Sequence, residues 1–170
     1  MYHMTEYKKD WPAILFMMGY HALLLITLPL YLLFYGTPSP TLISVTVLLY
    51  AVTGFSITIG YHRFYSHLTF KLNKFVEFLI ISTSTLAVAS TALKWSYDHR
   101  LHHRHVDTDR DPYNINKGFW WAHIIWIFYQ RRTWDDNVVR DLIKNKMVMF
   151  QHNYYVPLMI TSNIAVTLLV

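Results

Sequence analysis

The chain has 170 residues, of which 54% are hydrophobic and 17% aromatic but only 15% charged, against about 25% charged in an ordinary soluble domain. That deficit argues against a soluble globule, and the formal charge of +5 does not mark a nucleic-acid binder, because no Asp, Glu, Lys or Arg occurs from Trp11 to His62. With no cysteine, a disulfide scaffold, a thiol nucleophile and cysteine-ligated zinc or iron–sulfur are excluded, so any metal must be held by nitrogen and oxygen.

A bilayer core about 30 Å thick takes about 20 apolar helical residues, and the charge-free stretch is long enough for two such spans. The first is predicted near residues 14–35 and the second near 42–61, joined by a turn at Gly36-Thr37-Pro38-Ser39-Pro40-Thr41. Pro29 is a tolerable kink in lipid, where neighbouring groups re-satisfy the freed carbonyl. A cleaved signal peptide fits poorly, because the run is too long, ends without a small-residue cleavage site and leads into a second span. Lys8 and Lys9 precede the hairpin and Arg63, Lys71 and Lys74 follow it, while the loop is uncharged. The positive-inside bias therefore puts both flanks on the cytoplasmic side.

The apolar run 75–93 is long enough to cross but carries Glu77 and a Ser/Thr-rich middle. A crossing there would leave the histidines before it and after it on opposite faces; if they cooperate, the segment must re-enter or lie along the interface. The aromatic-rich run 119–129 is too short to cross and suits an interfacial helix. Thr133, Asp135 and Asp136 resemble a helix start. Beyond them Val138, Val139, Leu142, Ile143 and Met147 make an apolar stripe opposite Arg140, Lys144 and Lys146, the pattern of a surface helix ending near Phe150. Residues 154–170 are apolar and uncharged, the expected start of a third span, so residues 1–170 read as a partial domain of a longer protein. The fold class is all-α integral membrane: a two-span hairpin, interfacial helices carrying the histidines on the cytoplasmic side, and the start of a third span.

Five of the ten histidines fall between His62 and His103. His99, His102 and His103 stand at i, i+3 and i+4, which share one face of an α-helix, so three imidazoles can converge on metal without unwinding the backbone. His62 and His67 stand at i, i+5, about 140° apart on an ideal α-helix, and must either flank a site or join across a broken turn. Five imidazoles are more than one ion comfortably uses, which favours a dinuclear site. Imidazole suits iron, copper, nickel and zinc alike, and redox need rather than affinity would select iron. His3, His21, His105, His123 and His152 read as packing or surface histidines. The alternation of Asp107, Asp109 and Asp111 reads as a turn entering Pro112 rather than a calcium loop.

These residues resemble the membrane fatty acid desaturase family, in particular its acyl-CoA, delta-9-type branch. Gly60-Tyr61-His62-Arg63 through His67 is similar to the family's first histidine box, and Asp98-His99-Arg100-Leu101-His102-His103 to its second. The run from Asp107 to Asn114, and then Lys117 to His123, is similar to the stretch that the family carries after its second box. The resemblance implies a diiron enzyme in which His62, His67, His99, His102 and His103 ligate two iron ions and O2 is the oxidant. It places Trp95 along the acyl tunnel, and Asp98 and Arg131, with Arg132 beside it, near the substrate headgroup. Guanidinium forks there suit phosphate.

The implied partners are a fatty acyl substrate, a lipid bilayer, and an electron donor such as cytochrome b5 or ferredoxin with its reductase, but no nucleic acid. The implied location is the endoplasmic reticulum membrane of a eukaryote or the plasma membrane of a prokaryote. Tyr97 departs from the Arg common in acyl-CoA members, which keeps acyl-lipid beside acyl-CoA as carrier. The family's third HxxHH box and its Asn water ligand are absent from these 170 residues, so the chain alone is expected to be inactive. The alternatives are a related membrane lipid hydroxylase or ketolase, and a truncated non-catalytic membrane scaffold.

Overall fold

The computed structural model describes residues 7–131 and 133–169, with only the backbone given for Arg131. The chain divides into two compact units: residues 1–40 with 105–134, and residues 41–104 with 135–170. The described residues are mostly helical, with one two-stranded ribbon.

The first unit contains β1 (Tyr7–Lys9), α1 (Trp11–Tyr35), α5 (Phe119–His123) and β2 (Tyr129–Arg131). β1 and β2 pair antiparallel, with Tyr7 opposite Arg131 and Lys9 opposite Tyr129. Asp10 joins ribbon to helix. Its N–H donates to the Phe128 carbonyl, and its side chain accepts from Ala13 N–H as the N-cap of α1, with Pro12 in the first turn. No residue of α1 is buried, and the helix continues through Pro29 to stop at Gly36, whose φ of 76° suits glycine.

Residues 119–129 do not form the single interfacial helix expected from their sequence. α5 ends after five residues, a 3₁₀ turn covers Ile125–Phe128, and the chain then extends into β2. Pairing with β1 fixes that extension. The turn expected at Pro112 is present: fully buried Asp111 accepts from the N–H groups of Asp107 and Tyr113.

The second unit opens with α2 (Pro40–Ser56), which runs without interruption into a π-helix at Ile57–Ser66. Together these form a helix of 27 residues, and it and α1 are long and apolar enough to cross a membrane. α3 (Lys74–Leu86) starts at Asn73, whose side chain caps Val76 N–H. It ends after 13 residues, about 20 Å of rise, which is short of a bilayer core. The chain then breaks and restarts as α4 (Ala92–Arg104), with Val88 and Ser90 at φ of 54° and 71°. A β-branched residue is costly there, so the break must be held by its surroundings.

Gln151, 2% exposed, supplies much of that hold. Its carbonyl accepts from Ala92 N–H at 2.9 Å, and its amide donates to the Tyr61 hydroxyl at 2.6 Å and to Thr85 Oγ1 at 3.1 Å. Tyr61 in turn donates to the Ser90 carbonyl. Thr91 Oγ1 caps α4 at Lys94 N–H and meets His152 Nδ1. The long apolar run is thus one helix, a pinned corner and the first two residues of the next helix.

Glu77, the carboxylate within that run, is buried and neutralised. It takes Lys74 Nζ at 2.7 Å, the Tyr65 hydroxyl and the Asn145 amide. The surface helix expected from 133 to 150 is divided: Asp135 caps a 3₁₀ turn at Asp136–Val138, α6 covers Arg140–Ile143, and Asn145 caps α7 (Lys146–Asn153). The stripe itself faces inward as the spacing implies. Val138, Val139 and Leu142 are buried, and Ile143 and Met147 pack against that core. α8 (Tyr155–Leu169) is apolar, 15 residues long and packed on α3.

Candidate metal centre

The π-helix settles how His62 and His67 relate. Bonding from i to i+5 adds about one residue to each turn, so residues five apart return to nearly the same side of the helix. The N–H of His67 bonds to the His62 carbonyl at 3.1 Å, and the two Nε2 atoms lie 3.2 Å apart. On α4 the ordinary winding does the same for His99 and His103, whose Nε2 atoms are 3.1 Å apart. The two pairs then meet: His67 Nε2 lies 3.1 Å from His99 Nε2.

Four imidazole nitrogens, from His62, His67, His99 and His103, therefore lie within 4.8 Å of one another. Nitrogens bound to one ion at 2.0–2.1 Å are about 3–4 Å apart, and the approaches of His62 to His67, His67 to His99 and His99 to His103, at 3.1–3.2 Å, fall in that range. The chemistry of the set fits as well. Burial, followed by the neighbouring His62, His103, His67 and His102, lowers the His99 pKa to about 3, and burial with His62 and His103 lowers that of His67. Both rings are thereby kept in the neutral form that binds metal. The four residues could hold a metal ion.

His102 does not join them. Its ring centroid is 6.1 Å from that of His99 and 5.3 Å from that of His103, and its nitrogens are outside the group of four. The i, i+3, i+4 spacing thus brings two of its three imidazoles to one point and leaves the third beside it. Trp95, one turn before His99, stacks on the His99 ring at 4.9 Å and 24° and meets His62 edge-on at 6.2 Å. Asp98 is on α4 next to His99 and half-buried. Arg132 lies outside the described residues, as do His3 and the side chain of Arg131. His21 and His123 bond to the carbonyls of Met17 and Phe119 within their own helices, and His152 bonds to Thr91, in keeping with packing roles.

A family model described as fatty acid desaturase matches residues 38–155, which include both histidine pairs and α3 between them. The chain belongs to the fatty acid desaturase family. It is 38% identical over 143 residues to a probable acyl-CoA desaturase of Schizosaccharomyces pombe, covering 81% of this chain and 30% of that protein. It is 34% identical over 158 residues to an sn-1 stearoyl-lipid 9-desaturase of Anabaena variabilis, covering 89% and 55%. An acyl-CoA Delta(11) desaturase of Trichoplusia ni is 34% identical over 149 residues, covering 83% and 42%. The chain spans between about a third and about half of the length of these relatives.

Arg100, Asp141, Gln151 and the π-winding carry no signal in residue spacing that would have placed them at this site. The inward stripe of residues 138–147 was the one available hint that this segment supports α4.

Proposed function

We propose that this chain is part of a membrane desaturase that removes two hydrogens from adjacent carbons of a fatty acyl chain at a diiron centre. The observation that carries the reading is the four-imidazole cluster contributed by two helices of a chain in the desaturase family. Two iron ions with O2 would supply the oxidising power: an acyl CH2–CH2, O2, two electrons and two protons give CH=CH and two waters. The electrons would come from cytochrome b5 or ferredoxin with its reductase.

His62, His67, His99 and His103 would hold one ion, and His102, set beside them, would contribute to the second with ligands from outside these 170 residues. The role of this chain is to present neutral imidazoles at fixed separations. Trp95, whose ring covers His99, would also line the acyl tunnel. Asp98, Arg131 and Arg132 would engage the headgroup, acyl-CoA or acyl-lipid. α1 and the long α2–π helix would span the bilayer as a hairpin with the histidines on its cytoplasmic side, and α8 would begin a third crossing. The short α3 supports that placement, because 13 helical residues fall short of a bilayer core.

Product analysis tests the reading. Cells making the whole protein, fed a deuterated saturated fatty acid, should accumulate the mono-unsaturated product and lose it when His99 is changed to Ala. A hydroxylated product would instead identify a lipid hydroxylase. The 170-residue chain alone should give no product.

A further inference from the structure

Arg100 lies inside the second histidine segment, yet its hydrogen bonds go to other elements. Nη2 donates to the Tyr65 carbonyl at 2.5 Å and to Asp141 Oδ2 at 2.8 Å, and Nη1 donates to the Val138 carbonyl at 2.8 Å and to Asp141 Oδ1 at 2.6 Å. The guanidinium thus makes a two-pronged pair with a carboxylate while binding two backbone carbonyls, an arrangement a lysine cannot copy. Its side chain is 16% exposed, against 43% for Asp141.

The Tyr65 carbonyl is the informative partner. It belongs to the last turn of the π-helix, where carbonyls run out of N–H groups ahead of them and the helix end is negative. Neighbouring carbonyls find partners in their own segment: Tyr61 takes Ser66 Oγ, His62 takes His67 N–H, and Arg63 takes both N–H and Oγ1 of Thr69. The Tyr65 carbonyl takes its partner from α4. The turn that holds His62 and His67 is therefore tied by a charged bond to the helix that holds His99 and His103.

We propose that Arg100, fixed by Asp141, is a positioning residue that sets the separation of the two histidine pairs and so the affinity of the site for metal. The proposal rests on the metal-centre reading above. Arg100 holds the π-turn, Asp141 holds the guanidinium in the plane that reaches Tyr65, and the 3.1 Å approach of His67 to His99 is the result. Supporting groups of this kind commonly change metal affinity by about 10- to 100-fold when removed.

The test uses Co2+ as a spectroscopic probe of the chain purified in detergent micelles. The wild-type chain should bind one Co2+ with visible ligand-field bands, and His99→Ala should bind none. Arg100→Ala should bind at least about 10-fold more weakly with shifted bands, with Arg100→Lys and Asp141→Asn intermediate, while far-UV circular dichroism stays that of the wild type. Arg100→Lys and Asp141→Asn retain a partner for at least one carbonyl and keep the question answerable if Arg100→Ala does not fold. If the variants that fold bind Co2+ with wild-type affinity and bands while His99→Ala does not bind, the positioning role is wrong and the metal centre stands. If the wild-type chain itself binds no Co2+, the metal-centre reading falls and the proposal falls with it.

Discussion

His67 and His99 are 32 positions apart in the chain, and their Nε2 atoms approach to 3.1 Å. The approach joins a pair made by π-winding to a pair made by α-winding, so its geometry depends on both helices keeping their register. It also sets the electrostatics. A proton on either ring would place positive charge among three other imidazoles, and the half-buried His99 pays for desolvation besides, which takes its pKa down to about 3.

The stability of the metal-free chain should therefore fall on acidification. Between about 3 and the ordinary histidine value of 6.5 the unfolded chain binds a proton at His99 that the folded chain does not. Stability rises with pH wherever the unfolded state binds more protons, so this contribution is complete above 6.5 and is lost as pH falls through that window. The lowered pKa values of His67 and His152 act in the same sense. Thermal unfolding midpoints in micelles should drop from pH 7.5 to pH 5, and less steeply for His99→Gln. A midpoint that rises on acidification would contradict a neutral cluster.

Removing single histidines should separate the four from the fifth. His99→Ala takes away the ring whose Nε2 meets both His67 and His103, and binding of the first metal equivalent should be lost. His102→Ala removes a ring outside the group of four, so that first equivalent should remain, while iron in the whole protein falls by one ion per chain. Metal analysis of the purified variants reads both. Equal loss in the two would put His102 in the first coordination sphere.

The charge-free stretch, the approach of His99 to His103 and the inward stripe of residues 138–147 were legible because composition and residue spacing carry them, although His102 of the expected face lies beside the cluster and the stripe is divided over a 3₁₀ turn and two short helices. The partnership of His62 with His67 was not, since a five-residue spacing points two ways on an α-helix and only the π-ladder closes it. The corner at residues 87–91 has no glycine or proline to announce it. It is made by Gln151 and Tyr61, which are remote in sequence, and local propensity cannot report a bond that the rest of the fold supplies. For the same reason the helix expected over residues 119–129 breaks into α5 and a 3₁₀ turn and gives way to a strand from Tyr129, where β1 offers a partner.

Gln151→Ala should be strongly destabilising although it touches no histidine of the cluster. Its loss leaves the Ala92 N–H and the groups of Tyr61 and Thr85 short of a buried partner. Each such group costs about 1–3 kcal/mol when left unpaired. The unfolding midpoint should fall sharply and metal affinity with it, because the corner sets where α4 begins. Amide exchange at Ala92 should rise by orders of magnitude over that of residues 94–101. A variant with wild-type stability would show that another group holds the corner.

Gly60 gives a sharper version of the same dependence, with a built-in rescue. It lies two residues before His62 in the π-helix, and a Cβ there would fall well inside contact distance of Ile80 Cγ2 on α3, with Ser84 Oγ next at 3.5 Å. Ile80 Cγ2 is on a β-branch and cannot swing away, so Gly60→Ala must push the π-helix from α3. Overpacking of this kind costs about 1–3 kcal/mol. The displaced segment carries His62 and His67, so Co2+ affinity should fall along with stability. Ile80→Ala empties the space the new methyl needs. The double variant should therefore be more stable than the sum of the two single changes allows, and should recover metal affinity, the coupling expected of side chains in direct contact. Strict additivity in both readouts would mean that the close approach of the π-helix to α3 is not what holds the first histidine pair in place.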